Sequence, residues 1–149
     1  MFEITKADDA KVEITTKVTK ITFDVAEMEI DAALEVGKIH GPGEFEIGDV
    51  TIRGIAAGSG RTIYDAEIGG VHVGIIGGCE EGLDDLGMAD ILCTSSVRAV
   101  REIEPKLVVA MGNIDGMVTD LKLTARTEKK LKVKNIDALP AALEVVAIN

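Results

Sequence analysis

His40 and His72 are the two imidazoles in the chain, and they lie far apart in it. A catalytic zinc is held by about three N, S or O side chains at about 2 Å, with imidazole the usual donor. Neither histidine has a second donor at metal-ligand spacing. His72 alternates with Val71 and Val73, so on a strand it faces away from both and reads as a surface or packing residue. His40 precedes the turn residues Gly41-Pro42-Gly43 and reads as a backbone hydrogen-bonding residue.

Carboxylates are more numerous. Glu44 and Glu46 flank Phe45 and share one face of a strand. Such a pair becomes a general acid and base only inside a pocket that separates the two pKa values; otherwise it is a solvated face. Gly77-Gly78 could form an anion-binding nest, but Glu80, Glu81, Asp84 and Asp85 follow and repel phosphate. Those four could hold Ca²⁺ or Mg²⁺, yet their spacing is not that of an EF-hand, and a solvated loop is the simpler reading. Ser95-Ser96 lack the Gly-x-Ser-x-Gly elbow of a nucleophile and read as a helix cap. Cys79 and Cys93 form no CxxC pair, so they read as free, buried thiols in a reducing compartment.

Mostly strands must position these groups. Two-residue alternation marks strands over 11–16, 17–24 and 50–55. Residues 62–76 read as an antiparallel hairpin turning at Gly69-Gly70, because a two-residue turn needs positive φ at both positions. Residues 91–93, 107–111 and 144–148 are apolar runs that read as buried strands. A helix is expected over 96–104, capped by Ser95 or Ser96 and stopped by Pro105, and a weaker one over 119–130. Residues 31–36 fit helix or strand until Gly37, and 77–87 read as a loop.

A length of 149 residues fits one domain, 1–149, able to bury a core without disulfides. Aromatics are 3% with no Trp, which leaves Val, Ile, Leu, Ala and Met to build that core. A net charge of −10 opposes nucleic-acid binding, which needs a basic field. Lys129, Lys130, Lys132 and Lys134, the densest basic cluster, read as a solvated face. No apolar run approaches the roughly 18 residues of a membrane span, and no signal segment opens the chain, so a cytoplasmic protein is expected.

Several segments carry a resemblance to a known family. Gly41-Pro42-Gly43-Glu44-Phe45-Glu46-Ile47 precedes the strand Val50-Thr51-Ile52-Arg53-Gly54-Ile55. Ala89-Asp90-Ile91-Leu92, Ile103-Glu104-Pro105-Lys106-Leu107-Val108-Val109, Lys132-Val133-Lys134 and Leu139-Pro140 follow in order. Over about 38–149 this resembles the small Zn-dependent hydrolases of the metallo-β-lactamase superfamily, the branch related to lactonases of the ascorbate-phosphate type; residues 1–24 match the family's first hairpin only loosely. The resemblance implies an α+β fold, a reduced metallo-β-lactamase-like β-sandwich with a few flanking helices.

It also implies missing ligands. The family's His-x-His-x-Asp-His loop should lie within 25–40, which holds one histidine and no such motif. Its early Gly-His pair falls near Asp8-Asp9. Its His-Leu-Gly-Asp segment aligns with Ile75-Ile76-Gly77-Gly78, so Ile75 and Gly78 stand at ligand positions. Its Pro-Met-His segment aligns with Ala110-Met111-Gly112, so Gly112 stands at a third. None of the three offers a side-chain donor. The expectation is therefore a pseudoenzyme with no catalytic residue, no metal ligand and no cofactor, acting as a scaffold or interaction domain. The vacated mouth is expected to be apolar and covered by a second copy or by a catalytically competent relative, without nucleic acid or membrane. The alternatives are a hydrolase with relocated ligands among Glu44, Glu46, His72 and Asp85, or a small-molecule binding module near Ile75, Gly78 and Gly112.

Overall fold

The computed structural model describes residues 1–32 and 37–149. Its first strands are β1 (Phe2–Asp8), β2 (Lys11–Thr15), β3 (Lys20–Asp24), β4 (Glu29–Asp31) and β5 (Lys38–His40). Each pairs antiparallel with the next. Alternation decides the facing: Val12, Ile14, Ile21 and Phe23 are fully buried while their neighbours in sequence are mostly not. The chain continues through β6 (Gly43–Ile47), β7 (Val50–Ala56), β8 (Thr62–Ile68) and β9 (Val71–Gly77), again an antiparallel meander. The β8–β9 hairpin turns at Gly69 and Gly70, with φ of +56° and +83°, as the glycine pair predicts.

The remaining elements are α1 (Leu83–Leu86), β10 (Ile91–Thr94), α2 (Val97–Ile103), β11 (Leu107–Ala110), α3 (Ile114–Leu121), β12 (Ala125–Glu128), β13 (Leu131–Val133), a 3₁₀ turn at Ile136–Ala138 and β14 (Glu144–Ile148). One sheet has eight strands in the order β12-β14-β11-β10-β9-β8-β7-β6; the other has six, β13-β1-β2-β3-β4-β5. From β9 onward the pairing in the larger sheet becomes parallel, while β13 pairs antiparallel with β1. One buried apolar cluster draws side chains from both sheets. A second joins Ile63, Ile76, Leu92 and Val108 to residues of the three helices. Period-two burial thus serves two cores: Ile75 belongs to the first and Ile76 to the second.

Four expectations need correction. The strand expected over 17–24 starts at Lys20, because Thr16 Oγ1 accepts the backbone N–H of Val18 and Thr19 and holds a turn. The helix expected over 119–130 lies at Ile114–Leu121 instead. Asn113 caps it by accepting the Gly116 N–H, and Lys122 ends it at φ +58°. Residues 125–128 become β12, tied to β14 through the backbone. The 77–87 loop contains α1. The core is also more aromatic than composition implies: Phe2, Phe23 and Tyr64 are buried in it, and the Phe23 and Tyr64 rings lie 5.6 Å apart. Asp31 closes β4, while 33–36, the rest of the ambiguous 31–36 segment, lie outside the described residues. No described helix is long and apolar enough to cross a membrane.

Candidate functional site

The carboxyl ends of β9, β10 and β11 lie side by side because the three strands run parallel. Crevices at such ends are where open α/β sheets bind ligands. Backbone bonds lock the loops there. The Gly77 carbonyl accepts Thr94 Oγ1 at 2.6 Å and the Ser95 N–H at 2.9 Å, and the Thr94 carbonyl accepts the Met111 N–H at 2.9 Å. Gly77 is required at this junction: its φ is +59°, and a Cβ would sit 2.8 Å from Val25 Cγ2.

Ser95 sits at the centre of this mouth. A Cβ at Gly78 would lie 3.2 Å from Ser95 Oγ, and one at Gly112 would lie 3.5 Å from Ser95 Cβ. The structure therefore brings two of the three glycine and isoleucine positions singled out in the sequence, Gly78 and Gly112, to one exposed hydroxyl. Ile75, the third, is fully buried in the core shared by the sheets, opposite Tyr64 and Cys93. Ala110 and Met111 are buried as well. Among the described residues, the apolar mouth expected from 75, 110, 111 and their glycine neighbours is not an open face, because its apolar members point into the chain's own core. Ser96, not Ser95, caps α2: its Oγ accepts the Ala99 N–H at 3.1 Å and donates to Glu80. Ser95 itself carries no sequence signal, since its role depends on loops that meet only in the fold.

The relocated-ligand candidates go elsewhere. Asp65 on β8 is almost wholly buried and receives Arg53 Nη2 at 3.2 Å and His72 Nδ1 at 3.2 Å. Arg53 also donates to the carbonyls of Asp85 and Leu86, so Asp85 contributes backbone to this clasp. The His72 N–H is held by Asp90 at 2.8 Å, and Nε2 lies 4.0 Å from Glu67. Glu44 and Glu46 are exposed on edge strand β6, opposite Arg53 and Thr51. His40 does not bond the backbone as expected; its Nε2 lies 2.8 Å from Glu29 Oε2, a stronger acceptor that pairing of β4 with β5 places opposite it. Among the described residues, no three His, Cys, Asp or Glu side chains come together where a metal ion could be held.

Cys79 and Cys93 are free and buried, as expected. Burial pushes the Cys93 thiol up to about 12, which keeps it protonated and poorly nucleophilic. Tyr64 is pushed up to about 12 by burial first and by the charges of Glu29 and Asp24 second. Its hydroxyl has no hydrogen-bond partner among the described residues.

No family model matches the sequence, and no curated protein matches it. The fold does have a counterpart. A solved structure from Thermotoga maritima, provisionally described as a Zn-dependent hydrolase of the metallo-β-lactamase superfamily, superposes with a TM-score of 0.72 at 16% identity, covering 99% of each chain. At that identity the likeness establishes the fold: this chain has an α+β, metallo-β-lactamase-like architecture of two sheets and three helices.

Zinc is the metal that likeness brings to mind, and the mouth does not fit it. Zinc sites are built from imidazole, thiolate and carboxylate. Gly78, Ser95 and Gly112 offer one neutral hydroxyl. Glu80, the adjacent carboxylate, is engaged by Ser96.

Proposed function

We propose that this chain is a non-catalytic domain on a hydrolase fold, a pseudoenzyme serving as a scaffold or interaction module. The observation that carries the reading is the convergence of Gly78 and Gly112 on Ser95. Among the described residues, Gly78, Ser95 and Gly112 bring one neutral hydroxyl to this place and no base, metal ligand or activated nucleophile. Within the same reading the two sheets form the halves of a reduced sandwich, and the free thiols favour the reducing cytoplasm. The partner is a second copy or a catalytically competent relative.

The test is turnover. The purified chain, given lactone and phosphodiester substrates with added Zn²⁺ or Mn²⁺, should hydrolyse neither above background. Hydrolysis that appears with metal and disappears with chelator would overturn the reading and restore a hydrolase with relocated ligands.

One observation favours a second reading, a small-molecule binding module. A recess of about 750 Å³ adjoins Gly112 and is lined by Val118, Leu123, Thr124, Thr127 and Asn149 among others. Its size and mixed lining suit a small, neutral, hydroxyl-bearing ligand. Saturable binding there by calorimetry would favour this reading over the scaffold.

A further inference from the structure

The chain crosses between its two sheets through Lys129 and Lys130, which join β12 to β13. Each of these strands is the last in its sheet, so two strand edges without ladder partners among the described residues flank the crossing. Between them lies a cleft of about 500 Å³ lined by Arg126, Glu128, Lys129, Lys130, Leu131 and Lys132. That is four cations to one carboxylate, in a chain with 16 Lys and Arg against 26 Asp and Glu. Local charge here is thus opposite in sign to the whole.

Two of the cations are already engaged. Arg126 meets Glu128 at 3.4 Å and Glu144 at 3.3 Å, and Lys130 meets Glu3 at 3.4 Å. Lys129 and Lys132 are exposed and form no ion pair with a described residue. A second recess of about 250 Å³ shares Arg126, Leu131 and Lys132, adds an apolar wall from Leu107, Val133, Leu139 and Pro140, and includes Glu144, whose carboxylate is paired with Arg126.

We propose that this cleft is a docking groove for an extended acidic peptide segment, which adds a strand at the β12 edge, sets carboxylates against Lys129 and Lys132, and places an apolar side chain in the adjoining recess. The proposal rests on the interaction-domain reading and names the partner's chemistry. An open strand edge is a template for another strand. Lysines beside such an edge ordinarily turn incoming strands away; toward an acidic strand the same charges attract and fix register. A long polyanion would also meet the acidic remainder of the molecule and be repelled, whereas a short peptide meets only the groove.

The experiment uses the full chain and a fluorescein-labelled peptide alternating glutamate and valine, followed by fluorescence anisotropy. Matched peptides carry lysine for glutamate, or proline for valine, which removes backbone donors. Single-stranded RNA is titrated in parallel, and inorganic pyrophosphate is added as competitor. The glutamate–valine peptide should bind, weaken as salt rises, and exceed all other probes. K129E/K132E should lower its affinity by about tenfold or more, equal to about 1.4 kcal/mol. Lys129→Gln with Lys132→Gln should lower it less, which covers a charge-reversed chain that fails to fold. Absence of peptide binding by the parent, equal binding by the folded variants, tighter binding of RNA, or equally tight binding of the proline peptide would each overturn the proposal. Turnover in the hydrolysis assays would instead overturn the non-catalytic reading and leave this binding result standing.

Discussion

Asp65 on β8 gathers Arg53, His72 and, through Arg53, the carbonyls of Asp85 and Leu86, whereas Ser95 after β10 is exposed and lies beside Gly78 and Gly112, which carry no side chain. The first region has donors of the kind that hold metals or move protons, but they are spent on one another. The second lies at the carboxyl ends of parallel strands, where Gly78, Ser95 and Gly112 are exposed and offer one hydroxyl between them. A working site needs both at one place. Here they lie apart in one sheet, and counting histidines and carboxylates along the sequence cannot reveal that separation.

The clasp should matter most for stability. Asp65→Ala removes a buried carboxylate and strands two cationic or polar partners. Because Arg53 and His72 are partly exposed, water recovers some of the loss, and the expected cost is about 2–3 kcal/mol. Urea unfolding measures it. A cost near zero would show that the clasp is only a surface arrangement, and the contrast with the mouth would lose its first half.

The mouth can be sharpened with two neighbouring glycines. Gly77→Ala meets Val25 and adopts φ +59°, so it should cost about 1–2 kcal/mol. Gly78 has no such φ, and its added Cβ would face only the exposed Ser95 side chain. Gly78→Ala should stay within about 0.5 kcal/mol of the parent. Equal costs at the two positions, read from the shift in urea midpoint, would mean the crevice is packed shut rather than open.

A smaller effect comes from groups buried between these regions. The Cys93 thiol rises from 9.0 and the Tyr64 hydroxyl from 10.0, each to about 12. The folded chain keeps both protons where the unfolded chain loses them. Stability is therefore intact below about pH 9 and should fall as pH rises toward 12. Cys93→Ala and Tyr64→Phe should each flatten that fall in thermal melts taken across the range. An undiminished slope in both variants would place the alkaline sensitivity elsewhere.

How much of this was legible in the sequence depends on the range of the interaction involved. The β8–β9 hairpin was readable because alternation and Gly69-Gly70 are local. Given that turn, Glu67 opposite His72 follows from register. Asp65 follows from the same register, as a near neighbour of His72 across that hairpin. β12 was not readable: Ala-Arg-Thr-Glu has no strongly buried face, its residues tolerate a helix, and only backbone pairing with β14 makes it a strand. The surroundings of Ser95 were hidden for the same reason, since its neighbours Gly78 and Gly112 come from loops after two other strands, β9 and β11. Ile75 shows the limit of motif alignment: its side chain is buried in the core between the sheets.

A non-catalytic domain, as proposed, holds no metal at the ends of β9, β10 and β11. The most direct measurement is the metal content of protein purified without chelator, combined with its melting temperature before and after chelation. A metal bound only to the folded state stabilises it by RT ln(1 + [L]/Kd), so stripping a real site must lower the melting temperature. The account predicts no stoichiometric Zn, Mn or Fe and no shift with chelator. One tightly held metal per chain, with a lower melting temperature once it is removed, would contradict it.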